Sequence, residues 1–376
     1  MQTWQHPPIK NLRTFCAGLL LVCAATTCAW AQTSPSPATA ANPLAAEIDA
    51  TLSPYFAPNQ PGATVIVTRN GKTLFRKAYG MANLEHGIAL EPDMLLRLGS
   101  VTKQFTAAAI LLLADHGKLS IADDITQYLP DYPTHGARIS IENLLTHTSG
   151  IPNYTALSKF EEIAQRDMSV QQMLDFFKDR PLEFQPGERF AYSNSGYFVL
   201  GAIIEKVSGM RYADFMDKNI FQPLHLTHTQ YDCTACIVPR RVQGYTRVQA
   251  DYKNAVVISM TQPYAAGALL SNVDDLALWN DAIASKKLLK AETWQRMFTP
   301  FTLKNGTSTH YGFGWDIGKI RDADVVQHSG GIPGFATHVL RALNEDVFVA
   351  VLANNDEQNP STISLTHNVA AIVLRK

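Results

Sequence analysis

Ser100 opens an apolar, alanine-rich run that reads as a helix from Ser100 to His116, and Lys103 follows it by three positions. At that spacing the two side chains share one helical face, a turn apart. A serine hydroxyl is a poor nucleophile until a neighbour takes its proton. The positive end of a helix disfavours an ammonium and favours an oxyanion. One turn of helix therefore offers a nucleophile, an amine of lowered pKa and a backbone N–H for developing negative charge. No other serine in the chain has a lysine three residues later.

Two further segments carry chemistry. In Tyr192-Ser193-Asn194, an extended backbone puts Tyr192 and Asn194 on one side. A phenol near a lysine cation has a lowered pKa and can act as a base, and the asparagine can hold a substrate amide. His328-Ser329-Gly330-Gly331 ends a predicted strand. Its glycines let backbone approach a ligand, and a strand-edge N–H there can complete an oxyanion hole with that of Ser100. Cys233 and Cys236 form a C-x-x-C pair, which either binds metal or closes a disulfide. Zinc needs two more ligands, for which His225 and His228 are the nearby candidates. The simpler reading is a small surface disulfide in an oxidising compartment.

These residues need a scaffold. Gly62–Arg69 and Lys72–Tyr79 read as two strands joined by Asn70-Gly71, a strong hairpin signal. Helical spacing follows over 141–146, 170–178, 197–207, 212–219 and 274–284. Strands return at 311–317, 324–328, 336–340 and 347–353, and 364–374 closes as a helix. The expected fold is α/β (α+β): one antiparallel sheet built from both ends of the chain and flanked by helices, with a mostly helical lobe over roughly 120–300.

The 376 residues balance 32 basic against 33 acidic side chains, which leaves no electrostatic footprint for nucleic acid. Lys10 and Arg13, an apolar stretch from Phe15 to Thr27 and Ala29-Trp30-Ala31 spell a cleavable signal peptide over 1–31. The apolar run is short for a membrane span, so no span is expected after cleavage. Residues 32–42 read as a flexible Ser/Pro/Ala/Thr linker and 43–376 as the folded domain, exported to the periplasm or the medium.

Ser-x-x-Lys, Tyr-x-Asn and His-x-Gly, in that order and at wide spacing, resemble the serine β-lactamase and penicillin-binding family. The similarity is to its branch of class C β-lactamases, D-alanyl-D-alanine carboxypeptidases, D-aminopeptidases and related esterases. Leu144–Gly150 (LLTHTSG), Gln185–Glu188 (QPGE), Ala266–Ser271 (AGALLS) and Tyr311–Trp315 (YGFGW) match its landmarks. His147, within the first of these, reads as a turn residue ending a helix. The resemblance implies a β-lactamase/transpeptidase-like fold and an acyl-enzyme on Ser100. Lys103 and Tyr192 would exchange its proton, Tyr192 as base and later as acid. Asn194, His328 and Gly330 would bind substrate, and the N–H groups of Ser100 and Gly331 would form the oxyanion hole. The substrate would be a small molecule, a peptide or a cell-wall fragment, with no cofactor or metal. The third motif departs from the lactamase pattern, with histidine where Lys-Thr-Gly carries a fixed ammonium. Ester, amide or D-amino-acid peptide hydrolysis is therefore expected ahead of β-lactam or carboxypeptidase chemistry. A catalytically silent scaffold is the reading from another class, and the intact Ser100, Lys103 and Tyr192 set speaks against it.

Overall fold

The computed structural model describes residues 42–375. The expected signal peptide and all but the last residue of the expected linker lie outside the described residues. Asn42 caps the first helix, α1 (Pro43–Leu52), its side chain accepting from the Leu44 N–H at 3.1 Å. Strands β1 (Ala63–Arg69) and β2 (Lys72–Tyr79) follow. Asn70 (φ 52°) and Gly71 (φ 69°) turn the chain between them in the left-handed region that Asn-Gly pairs favour.

Four strands from the other end complete the sheet: β3 (Asp316–Ile320), β4 (Ala323–Ile332), β5 (Phe335–Ala342) and β6 (Val347–Ala353). All pairings are antiparallel, in the order β3-β4-β5-β6-β1-β2, and Ala63 pairs with Ala353. Every residue of β6 is buried. Its side chains alternate between two cores: Val347, Val349 and Val351 pack with Ile48 of α1 and Leu365 of the last helix, whereas Phe348, Ala350 and Leu352 join the larger core. A strand covered on both faces carries a continuous apolar run, which is what VFVAVLA is.

The middle of the chain is mainly helical. Helix α2 (Thr102–Asp115), with Phe105, Ala107, Ala108 and Ala109 all fully buried, is covered on every side. It ends where Gly117 (φ 68°) donates to Ala114 O and Lys118 N–H to Leu113 O, a Schellman stop. Helices α3 (Ile141–Leu145), α4 (Asn194–Ser208) and α5 (Val273–Ala284) belong to the middle segment, and α6 (Thr362–Val373) covers the outer face of the sheet.

The strand expected over 311–317 is corrected. Residues 311–315 form a turn, with Gly312 N–H donating to Trp315 O at 2.9 Å, and the strand begins at Asp316. Aromatics alternating with glycines imitate the period of a strand. The glycines are there for approach: Gly314 has φ 77°, and a Cβ on it would lie 2.8 Å from Lys103 O.

Candidate active site

Ser100 lies in a 3-10 turn (Gly99–Val101) that leads directly into α2. Its N–H belongs to the first turn, whose donors have no acceptor within the helix. Gly99 takes φ 53°, and a Cβ there would come within 2.9 Å of Gly331 N. A Cβ on Gly330 would meet Leu98 O at 2.0 Å. The two glycines thus let β4 and the nucleophile turn touch. Strand β3 pairs only with Ala323–Gln327, so from His328 onward that edge of β4 is left to face Ser100. Gly331 N is thereby packed against Gly99, the residue before Ser100.

Lys103 is fully buried one turn along. Its Nζ lies 3.1 Å from Ser100 Oγ, 2.8 Å from Asn194 Oδ1 and 2.8 Å from Ala266 O. Two of these partners only accept, and the third is a hydroxyl. A neutral amine fits this set: it donates twice and receives the Ser100 proton on its lone pair. Burial lowers the Lys103 pKa well below the usual lysine range.

Tyr192 and Asn194 flank Ser193, which is extended (φ −137°, ψ 118°), so both side chains reach the same side, as the spacing requires. Lys103 Nζ lies 4.8 Å from the centre of the Tyr192 ring. Crowding raises the Tyr192 phenol, and hydrogen bonding with the Ser100 hydroxyl works against that rise. The residue is also 37% exposed, and solvent on its open edge moderates the shift. The expected lowering of the phenol by a lysine cation is reversed, because burial acts on both groups and favours both neutral forms.

His328 and Gly330, expected to bind substrate, are both buried. His328 is 2% exposed, with Nε2 2.9 Å from the Tyr311 hydroxyl and Nδ1 2.6 Å from Ser329 O. Burial first, and the nearby Lys103 second, lower its pKa to about 3. Gly330 is buried against Leu98. His147, read from sequence as a turn residue, is buried beside Tyr192, its ring centre 4.3 Å from the Tyr192 ring. Cys233 and Cys236 are joined as a disulfide, and Arg241 donates to both of their carbonyl oxygens. Among the described residues, no group of His, Cys, Asp and Glu is arranged to hold a metal ion.

A six-stranded antiparallel sheet, a buried helix behind it and a serine at the head of that helix define a serine hydrolase of the β-lactamase/transpeptidase-like fold. The chain belongs to the β-lactamase and penicillin-binding protein family: the Beta-lactamase family model matches residues 48–374. Penicillin-binding protein 4* of Bacillus subtilis (strain 168) is 30% identical over 315 residues, which cover 80% of this chain and 69% of that protein. The octameric penicillin-binding protein homologue from Pyrococcus abyssi superposes with a TM-score of 0.74 at 26% identity, over 88% of this chain and 77% of that one. The D-amino acid amidase from Ochrobactrum anthropi SV3, solved with D-phenylalanine, shares the fold with a TM-score of 0.75 at 23% identity, over 88% of this chain and 99% of that one. No helix among the described residues is long and apolar enough to cross a membrane.

Proposed function

We propose that this protein hydrolyses an ester, an amide or a D-amino-acid peptide through an acyl-enzyme on Ser100. The observation that carries the reading is the buried Lys103 amine, 3.1 Å from the Ser100 hydroxyl and held by two acceptors. Lys103 takes the Ser100 proton as Oγ attacks the carbonyl carbon. The N–H groups of Ser100 and Gly331 hold the oxyanion. As the bond to the leaving group breaks, Tyr192 gives that group a proton and regains one from the Lys103 ammonium. Water then repeats the sequence in reverse to free the acid. Assigning the base to Lys103 and the acid to Tyr192 follows the directions in which burial moves each group. Asn194 positions Lys103 and offers its amide to the substrate.

A neutral, enclosed His328 gives no fixed cation for a substrate carboxylate, which places β-lactams and C-terminal peptides behind neutral esters and amides. The amidase fold relative supports an amide substrate by analogy. The deciding experiment labels the purified protein with a fluorescent fluorophosphonate and, separately, a fluorescent penicillin. Labelling by the first alone supports the reading. Stable labelling by both makes the protein a penicillin-binding enzyme, fast penicillin turnover makes it a lactamase, and labelling by neither makes it a silent scaffold.

The domain over 43–376 is proposed to be exported after cleavage of 1–31. The disulfide fits an oxidising compartment. N-terminal sequencing from a secreting host should begin near Gln32; Met1 on a membrane-bound form defeats this.

A further inference from the structure

Behind Tyr192, three rings from three distant segments join in one buried chain of hydrogen bonds. The Ser193 N–H lies 3.1 Å from His147 Nδ1. An amide can only donate, so Nδ1 carries no proton. Burial keeps His147 neutral, which puts its proton on Nε2. That nitrogen lies 3.2 Å from the Tyr311 hydroxyl. At the far end, His328 Nδ1 lies 2.6 Å from Ser329 O, which can only accept, so Nδ1 holds the proton of this neutral imidazole. His328 Nε2 is then the acceptor for the Tyr311 hydroxyl at 2.9 Å. Every proton in the chain has one home, and the donors all point the same way, from Ser193 to Ser329.

His147 also holds the other side of the Tyr192 segment. Its own carbonyl accepts the Ala191 N–H at 2.9 Å. The amides before and after Tyr192 thus both end on one residue, whose ring lies against the tyrosine ring. His147 adopts φ 56°, a left-handed conformation that side-chain-bearing residues seldom take unless the surroundings hold them there.

We infer that His147 is a positioning residue for the reaction: it sets Tyr192 over the leaving group and, through Tyr311, ties that placement to the His328–Gly331 edge that holds the oxyanion. This rests on the reading of Tyr192 as the acid that protonates the leaving group. The reach of the inference is therefore the leaving-group step and not the attack by Ser100.

The test compares two esters of one acid, p-nitrophenyl butyrate and ethyl butyrate, with active enzyme counted by fluorophosphonate titration. A p-nitrophenolate departs without a proton, whereas an ethoxide needs one. His147→Gln removes the acceptor for Ser193 and should lower kcat/KM on the ethyl ester by about 10²-fold, the scale of a misplaced acid, while the p-nitrophenyl ester loses about threefold or less. His147→Asn tolerates the left-handed backbone and puts an amide oxygen where Nδ1 was, so it should recover most of the ethyl-ester rate. Tyr311→Phe keeps the grip on Tyr192 and cuts the tie to β4; it should lose about tenfold on the ethyl ester, and it stands in for His147→Gln if that variant does not fold. Tyr192→Phe is the reference. If it favours the p-nitrophenyl ester and the variants of the chain lose equally on both esters, or on neither, His147 is only structural and the inference is wrong. If Tyr192→Phe itself shows no leaving-group dependence, the acid assignment fails and takes the inference with it.

Discussion

Two polar groups meet at Tyr192, and they treat protons in opposite ways. On the cleft side, the Lys103 amine and the hydroxyls of Ser100 and Tyr192 can each both give and receive a proton. On the inner side, His147, Tyr311 and His328 are bracketed by an amide that only donates and a carbonyl that only accepts, which leaves them a single arrangement. Burial favours the neutral form of Lys103, His147 and His328 alike. Both sides end partly on backbone, Lys103 on Ala266 O and His328 on Ser329 O. The cleft side differs in that its amine and two hydroxyls can exchange the roles of donor and acceptor.

The contrast breaks most plainly at the nucleophile. Ser100→Ala should abolish covalent labelling and turnover, a loss of several orders of magnitude, while thermal melting stays close to that of the parent. Activity above about 10% of wild type refutes the nucleophile. Next come the two groups that move its proton. On an alkyl ester, whose leaving group needs a proton, Lys103→Ala and Tyr192→Phe should each lower kcat/KM by about 10²-fold or more, and the double variant should lose far less than their product, because they serve one relay. Additive losses in kcat/KM on ethyl butyrate contradict the shared path.

The fixed side should speak through stability. His147, His328 and His338 all have pKa values lowered chiefly by burial, the last two to about 3. The unfolded chain binds protons on these imidazoles below about pH 6.5 and the folded one does not. Their stabilisation is therefore complete above about pH 6.5 and is lost as pH falls from there toward about 3, at up to about 1.4 kcal/mol per pH unit for each histidine. Urea midpoints from pH 7 down to pH 4 measure it, and a flat series is the adverse result.

The smallest expected effect is a silence. An imidazole open to solvent and substrate would titrate between about pH 5 and 8, and His328 is buried. The acid limb of kcat/KM should come from protonation of Lys103, so activity falls as pH drops, and no alkaline loss should occur up to about pH 10 because the Tyr192 phenol is raised. Asp316, at the head of β3, has a carboxyl raised by crowding to about 6, although its exposure to solvent draws it back. The limb should survive both His328→Gln, whose amide oxygen can still accept from Tyr311, and Asp316→Asn. A limb that disappears in either variant reassigns it.

Much of this was legible in residue order. The Asn70-Gly71 hairpin, the helix opened by Ser100 with Gly117 as its stop, and the strand over 347–353 follow from local rules, and the structure matches them closely. The failures have physical causes. A strand shows one residue to each face in turn, so whether His328 or Ser329 looks inward depends on a register that the motif does not carry. His147, Tyr311 and His328 are joined by contacts across 164 and 17 positions, and nothing local relates them. The reversal at Tyr192 is one of environment: desolvation is a property of the packed molecule, and the sequence shows only which groups can titrate. Helix α1 was missed because its alanines and proline continue the composition of the segment before it.

The pairing of Ala63 with Ala353 governs how the molecule comes into being. The β1–β2 hairpin leaves the ribosome long before its sheet neighbour β6. Until β6 arrives, the apolar β1 has one edge open to any extended chain that drifts past, a hazard met by holding the nascent polypeptide apart from its copies. Contacts so far apart in sequence also make folding slow. The same delay bears on the proposed chemistry: Ser100 is translated early, but the Gly331 edge proposed to complete its oxyanion hole comes late.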